Sequence, residues 1–229
     1  MTGLGSRTWP EVDATGGAFL LAVPLGACEQ HGPHLPLDTD STVAVALCEA
    51  LAGRRGDVLV APLLGVGASG EHAGFAGTLS VGTGVLAALL TELVRSSRGW
   101  SRGTMLVSGH AGNIDALAAA AAVADYEGDA VCTFVPSIRG GDAHAGRTET
   151  SLLLALDPGV VRHNEVVVGA TEPLATLLGV LRRDGVGAVT SNGVLGDPRQ
   201  ASADEGRRVL GLLCDDLCEL ALRTFGPPS

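Results

Sequence analysis

Glu29-Gln30-His31-Gly32-Pro33-His34-Leu35-Pro36-Leu37-Asp38-Thr39-Asp40 is the densest run of carboxylates and imidazoles in the chain. One residue separates Glu29 from His31, so in extended backbone both side chains project to the same face. Asp40 follows after a turn-forming Gly-Pro. Two carboxylates and an imidazole suit a borderline divalent ion such as zinc, manganese or iron. The same residues would also serve in a salt-bridged loop, with Asp38 or Asp40 capping a helix. In Ser108-Gly109-His110-Ala111-Gly112-Asn113, glycine on either side of the histidine lets backbone approach closely. This run reads equally as a glycine-rich turn with an incidental histidine. Asp142-Ala-His144-Ala-Gly-Arg147-Thr-Glu149-Thr-Ser151 sets an imidazole and a carboxylate five residues apart at an expected helix start. Glu149 alone would pass for a first-turn carboxylate complementing the helix dipole. Glu71-His72 with Gly77-Thr78 either joins such a site or forms a polar surface loop. His163, beyond Pro158, is expected to be exposed.

Those residues need a scaffold, and the apolar runs supply one. Phe19–Val23, Val58–Ala61, Met105–Val107 and Ala130–Val135 are continuous rather than alternating, as in parallel strands covered on both faces. Between them Ser41–Leu51, Val85–Arg95 and Ile114–Asp125 read as helices. A last helix opens at the capping-box spacing Ser202-Ala-Asp-Glu205 and runs towards Arg223. Strand–helix alternation predicts a layered α/β fold with a parallel sheet. One domain over 1–229 is expected, with 1–17 an irregular N-terminal segment. Three of the four histidine-bearing loops directly follow predicted strands, and open α/β sheets assemble sites at those carboxyl ends.

Composition excludes other classes. Hydrophobic residues form 46 % of the 229, aromatics 3 %, and the net charge is −10. With no basic stripe and few rings to stack on bases, no nucleic-acid partner is expected. No apolar stretch approaches the ~18 residues of a spanning helix, and no membrane partner is expected. Leu25-Gly-Ala-Cys28 mimics a lipoprotein cleavage box, but Glu11, Asp13 and Pro24 make a poor leader. Five cysteines without CxxC spacing fit small buried hydrophobes in a reducing compartment, hence the cytoplasm. No GxSxG elbow, P-loop or GxGxxG is present.

The run Val23–Asp40 resembles the signature of the creatininase family of metal-dependent amidohydrolases. Gly70–Thr78, Gly109–Asn113 and His144–Ser151 resemble its later blocks in the same order, from about Phe19 to Leu220 in all. The resemblance implies a three-layer α/β/α sandwich with a mainly parallel central sheet. It also implies two divalent ions per chain (zinc and/or iron, with manganese admissible) and a homo-oligomer, a hexamer. Glu29, His31, Asp40, His110 and Glu149 match the family's metal ligands, with Asp40 as bridge, and His144 matches its catalytic histidine. His34, Asp38, Glu71, His72, Thr78, Asn113, Asp142 and Arg147 are candidates for orienting ligands or binding substrate. The implied reaction is amide hydrolysis by a hydroxide bridging ions about 3.5–4 Å apart.

Asp142–Pro158 and Ser191–Pro198 resemble a branch that processes a modified precursor peptide and frees its Val-Tyr-derived end. Gly112 stands where creatinine-hydrolysing members carry a glutamate, so Glu149 must supply that ligand. Ala27-Cys28, Ser108 and Ala76 also depart from the usual Ser-Thr, Asn and Pro. The alternatives are a hydrolase of a small cyclic amide or formamide, and a non-catalytic, metal-stabilised scaffold.

Overall fold

The four apolar runs become the strands β1 (Leu20–Leu25), β2 (Val58–Val60), β3 (Gly103–Ser108) and β4 (Val131–Phe134). In the computed structural model, which describes residues 3–228, they form one parallel sheet in the order β2-β1-β3-β4. Leu20 pairs with Val58 and Gly103, and Met105 with Cys132. Alternation sends successive side chains to opposite faces. Leu20, Ala22, Val58, Val60, Met105 and Val107 point to one hydrophobic core, and Leu21, Val23, Leu25 and Leu106 to the other. β4, at one edge of the sheet beside β3, is half-buried, whereas β2 at the other edge is buried throughout.

The described residues form seven helices: α1 (Trp9–Asp13), α2 (Thr39–Arg55), α3 (Thr83–Ser97), α4 (Ile114–Glu127), α5 (Arg147–Leu156), α6 (Leu174–Asp184) and α7 (Ala203–Phe225). Buried residues of α2, α5 and α7, among them Leu47, Leu51, Leu153, Leu213 and Leu217, fill the first core. Leu86 and Leu90 of α3 and Ala116, Leu117 and Ala120 of α4 fill the second. The result is the expected three-layer α/β/α sandwich. Ser202 accepts the Glu205 backbone N–H and caps α7, as its spacing predicts. The N-terminal segment, expected to be irregular, instead folds α1. Thr8 and Glu11 form a reciprocal capping box there, with Pro10 in the first turn.

The chain runs from β1 through α2 to β2, then back through α3 to β3 and outward through α4 to β4. Right-handed crossovers put a helix on one face when the sheet grows one way and on the other when it reverses. The reversal falls between β1 and β3, so a crevice opens between the loops that follow them.

At the opposite end, buried Asp57 ties three elements together. Arg55 reaches its two oxygens at 3.0 Å each, and Arg102 joins them. The same guanidiniums donate to the carbonyls of Gly226 and Phe225 beyond and at the end of α7. Burial alone would raise the Asp57 pKa, but the Arg55 and Arg102 charges outweigh it and hold it low. A depressed folded pKa gives stability that is present above the unfolded value of about 3.9 and is lost as pH falls through the folded one. Asp57→Ala should therefore cost roughly 3–5 kcal/mol at neutral pH in urea unfolding. That deficit should shrink below about pH 4. A pH-independent difference would reject the charge account.

Candidate metal centre

Each of the four strand-end loops contributes to one polar cluster. Glu29 and His31 come from the loop after β1, Glu71 and His72 from the loop after β2, and His110 from the loop after β3. His144 lies between β4 and α5. Asp40 and Glu149 stand in the first turns of α2 and α5. Glycine makes the approach possible where it matters. A Cβ on Gly109 would overlap the Asp40 backbone carbonyl, and one on Gly112 would overlap the His110 ring and the Glu71 carboxylate.

Glu29, His31, Asp40, His72, His110 and His144 are all less than 9 % exposed. His110 Nε2 lies 3.2 Å from Glu29 Oε2, and His110 Nδ1 lies 3.4 Å from Asp40 Oδ2. The other Asp40 oxygen lies 3.3 Å from His31 Nε2, which is 3.9 Å from Glu149 Oε2. His72 Nε2 and His144 Nδ1 face Glu29 Oε1 at 3.3 and 3.8 Å. Glu71 stands 3.6 Å from His110 Nε2.

Electrostatics follow from which groups each imidazole faces. Burial would discharge His31 and His110, but His31 faces Asp40, Glu149 and Glu29, and its pKa rises to about 10. His110 faces Glu29, Asp40 and Glu71 and rises to about 9. Burial raises Glu29, yet the histidines around it, His110 foremost, bring it far below the usual carboxylate range. Burial pushes His144 down to about 4 and His72 to about 3, with neighbouring imidazoles adding to the effect. Burial raises Glu149 and Glu71.

Both Glu29 carboxylate oxygens and Asp40 Oδ2 are buried without a hydrogen-bond partner. Buried anionic oxygens without donors are costly unless a cation meets them. Three donor groups converge to within 4.8 Å: Glu29–His31–Asp40, His31–His144–Glu149 and Glu29–His72–His144. Carboxylate and imidazole donors are the set that zinc, manganese and non-haem iron accept. The residues present fit divalent ions.

The sequence-derived candidates divide by position. Glu29, His31, Asp40, His110, Glu149 and His144 meet in the cluster, joined by Glu71 and His72. His34 lies buried behind it, with Nε2 2.9 Å from Thr150 Oγ1. Thr78 Oγ1 accepts the Gln30 backbone N–H at 3.4 Å. Asn113 is fully buried and clamps three segments, accepting from the Ala68 N–H and donating to Gly26 O and Ser108 Oγ. Asp142 caps α5 through the Arg147 and Thr148 N–H groups rather than orienting a donor of the cluster. Asp38 is exposed at the end of its loop and caps nothing with its side chain. Arg147 turns away and pairs with Glu205 of α7 at 2.6 Å. His163 is exposed, as expected.

Two participants are not in the sequence-derived set. Gln30 is buried among the histidines, with its amide nitrogen 2.9 Å from His72 Nδ1. Ala145 takes φ +51° between His144 and Glu149, and its N–H donates to Glu149 Oε2 at 2.6 Å. A left-handed alanine is strained, and here it sits beside the charged groups. The stretch Ser191–Pro198 supports His144, whose backbone exchanges hydrogen bonds with Leu195.

The creatininase family profile, described as creatinine amidohydrolase, matches residues 5–221. The mycofactocin precursor peptide peptidase of Mycolicibacterium smegmatis is 46 % identical over 213 residues, spanning 91 % of this chain and 85 % of that one. Its namesake in Mycobacterium tuberculosis is 43 % identical over 235 residues, spanning 99 % and 93 %. Among solved structures, a manganese creatininase superposes with a TM-score of 0.81 at 27 % identity, covering 99 % of both chains. A creatininase variant described as Zn–Zn type gives 0.80 at 27 % identity, covering 99 % of both. A sandwich whose strand-end loops converge on carboxylates and imidazoles, matched along nearly its whole length, belongs to the creatininase family of amidohydrolases.

Proposed function

We propose that this chain is a metal-dependent peptidase that hydrolyses the modified mycofactocin precursor peptide, releasing the C-terminal Val-Tyr-derived unit. The observation that carries the metal part is the set of donorless, buried oxygens on Glu29 and Asp40, ringed by imidazoles from separate loops. The substrate rests on the names of the relatives above 40 % identity. Glu29, His31, Asp40, His110 and Glu149 would hold two divalent ions, zinc or iron with manganese admissible, and Asp40 would lie between them. Bound there, such ions polarise the scissile carbonyl and make water nucleophilic near neutral pH.

The chain's own residues supply the proton handling. His144 Nε2 lies 2.7 Å from the Gln30 backbone carbonyl, which only accepts, so the ring proton sits on Nε2. Its Nδ1 lone pair faces the cluster and can take the proton of the attacking water and pass it to the leaving amine. The Gln30 carbonyl then holds the resulting imidazolium in place.

On this reading the substrate's last residue has already lost its carboxylate. The cluster already carries Glu29, Asp40, Glu71 and Glu149, and Arg147 is engaged by Glu205. A neutral end is therefore the better fit. Metal-loaded protein incubated with matured and unmodified peptides, with products identified by mass, should cut the matured one before its Val-Tyr-derived unit and far faster. Creatinine should be untouched, since Gly112 brings no carboxylate of its own. Equal rates on both peptides would reject this specificity, and creatinine turnover would move the assignment to the small cyclic amides.

The same reading includes the cytoplasm, where five free cysteines are at home. It also includes a homo-oligomer, a hexamer on family resemblance. None of the residues of α6 is buried, and its Leu174 and Leu178 are 44 % and 39 % exposed. Light scattering at micromolar concentration should give a multiple of 23.0 kDa, and the monomer mass would contradict it.

A further inference from the structure

The Gln30 side chain meets partners that leave its amide only one orientation. Its Oε1 accepts the Gly32 backbone N–H at 2.9 Å, and its Nε2 donates to the Gly193 carbonyl at 3.0 Å. A backbone N–H only donates and a carbonyl only accepts, so the two ends of the amide cannot be exchanged. The Gly193 backbone, at φ +79°, packs so closely that a Cβ there would overlap Gln30. Nε2 has one proton left. His72 Nδ1 lies 2.9 Å away, and His144 Nε2 lies 3.1 Å away. His144 Nε2 already carries a proton for the Gln30 carbonyl, so it cannot accept. The remaining proton goes to His72 Nδ1.

That assignment reaches the other end of the His72 ring. With Nδ1 accepting, a neutral His72 carries its proton on Nε2, which lies 3.3 Å from Glu29 Oε1. The opposite tautomer would set N–H against N–H at Gln30 and a lone pair against the carboxylate at Glu29. We propose that Gln30 is a positioning residue that fixes the His72 proton on Nε2, on the side facing Glu29, and so keeps His72 out of the metal set. Of the three converging donor groups, Glu29–His72–His144 is thereby closed to an ion through His72 Nε2. The inference deepens the metal-dependent reading, and only its statement about ligands rests on it.

Nitrogen NMR of protein labelled with nitrogen-15 at the histidine rings tests both halves. In the metal-free and the cadmium-113-loaded wild type, His72 should be protonated on Nε2 and should show no coupling to cadmium. His31 and His110 should show that coupling. Gln30→Glu presents an acceptor to His72 Nδ1 and should move the proton there. Gln30→Met removes the donor, should erase the tautomer preference, and should weaken cadmium binding about 10–100-fold. A wild-type His72 protonated on Nδ1, or coupled to cadmium, overturns the proposal whether or not the variants fold. Absence of any cadmium coupling with the His72 tautomer intact would instead defeat the metal reading and leave the Gln30 assignment standing.

Discussion

Asp40→Ala protein should carry neither divalent ion when analysed for metal content, and its peptide turnover should fall at least ~10³-fold. The two Asp40 oxygens address different histidines, with Oδ1 toward His31 and Oδ2 toward His110. No other side chain of the cluster stands between those two rings in this way. Removing it leaves Glu29 with His110 on one side and His31 with Glu149 on the other, each one ligand short and without the shared anion. A Lewis acid supplies several kcal/mol of transition-state stabilisation, and each 1.36 kcal/mol is a factor of ten in rate. The variant should also fail to gain thermal stability when metal is added. Wild type should gain it, because a ligand bound only by the native state stabilises by mass action. Wild-type occupancy in Asp40→Ala, or one ion in the wild type, would overturn the bridging role.

His144→Ala should behave in the opposite way, with metal content unchanged and turnover down about 10²–10⁴-fold. The ring has two faces. Nε2 is spent on the Gln30 carbonyl, and Nδ1 points inward at 3.8 Å from Glu29 Oε1. A proton carrier lost from that position removes assistance to the leaving amine and little else. The measurement also separates two other readings. His144 belongs to two of the converging donor groups, so loss of an ion in the variant would make it a ligand. Unchanged turnover with intact metal would remove His144 from the proton handling, whereas no turnover by the metal-loaded wild type would favour a metal-stabilised scaffold over an enzyme.

Much of this arrangement was legible in the residues. Continuous apolar runs such as Phe19–Val23 mark the strands because both faces of the sheet are covered, although β4 is only half-buried. Glu29, His31, Asp40 and His110 stood out because carboxylates and imidazoles cluster beside turn glycines at strand ends. Arg147 misled because adjacency to His144 and Glu149 suggests a shared site. On a helix, however, residues two apart lie about 200° around the axis, so Glu149 facing inward turns Arg147 outward. Asp38 and Asp40 separate in the same way where the loop turns into α2. Gln30 reads as a spacer between two ligands, since the partners that give it meaning, His72, His144 and Gly193, are contributed by distant segments. α6 carries no buried residue that would anchor it in the apolar pattern of the core.

The Asn113 clamp bears on how such a protein acquires its metal. A neutral side chain joins Gly26, Ala68 and Ser108, so the loops after β1, β2 and β3 are fastened together without any ion. This fastening contains no cation, in contrast to small zinc domains in which metal and folding are one event. A newly made chain can reach its native topology first and be metallated afterwards. Which ion it receives then depends on the finished geometry of the donors and on what the cell has in supply at that moment.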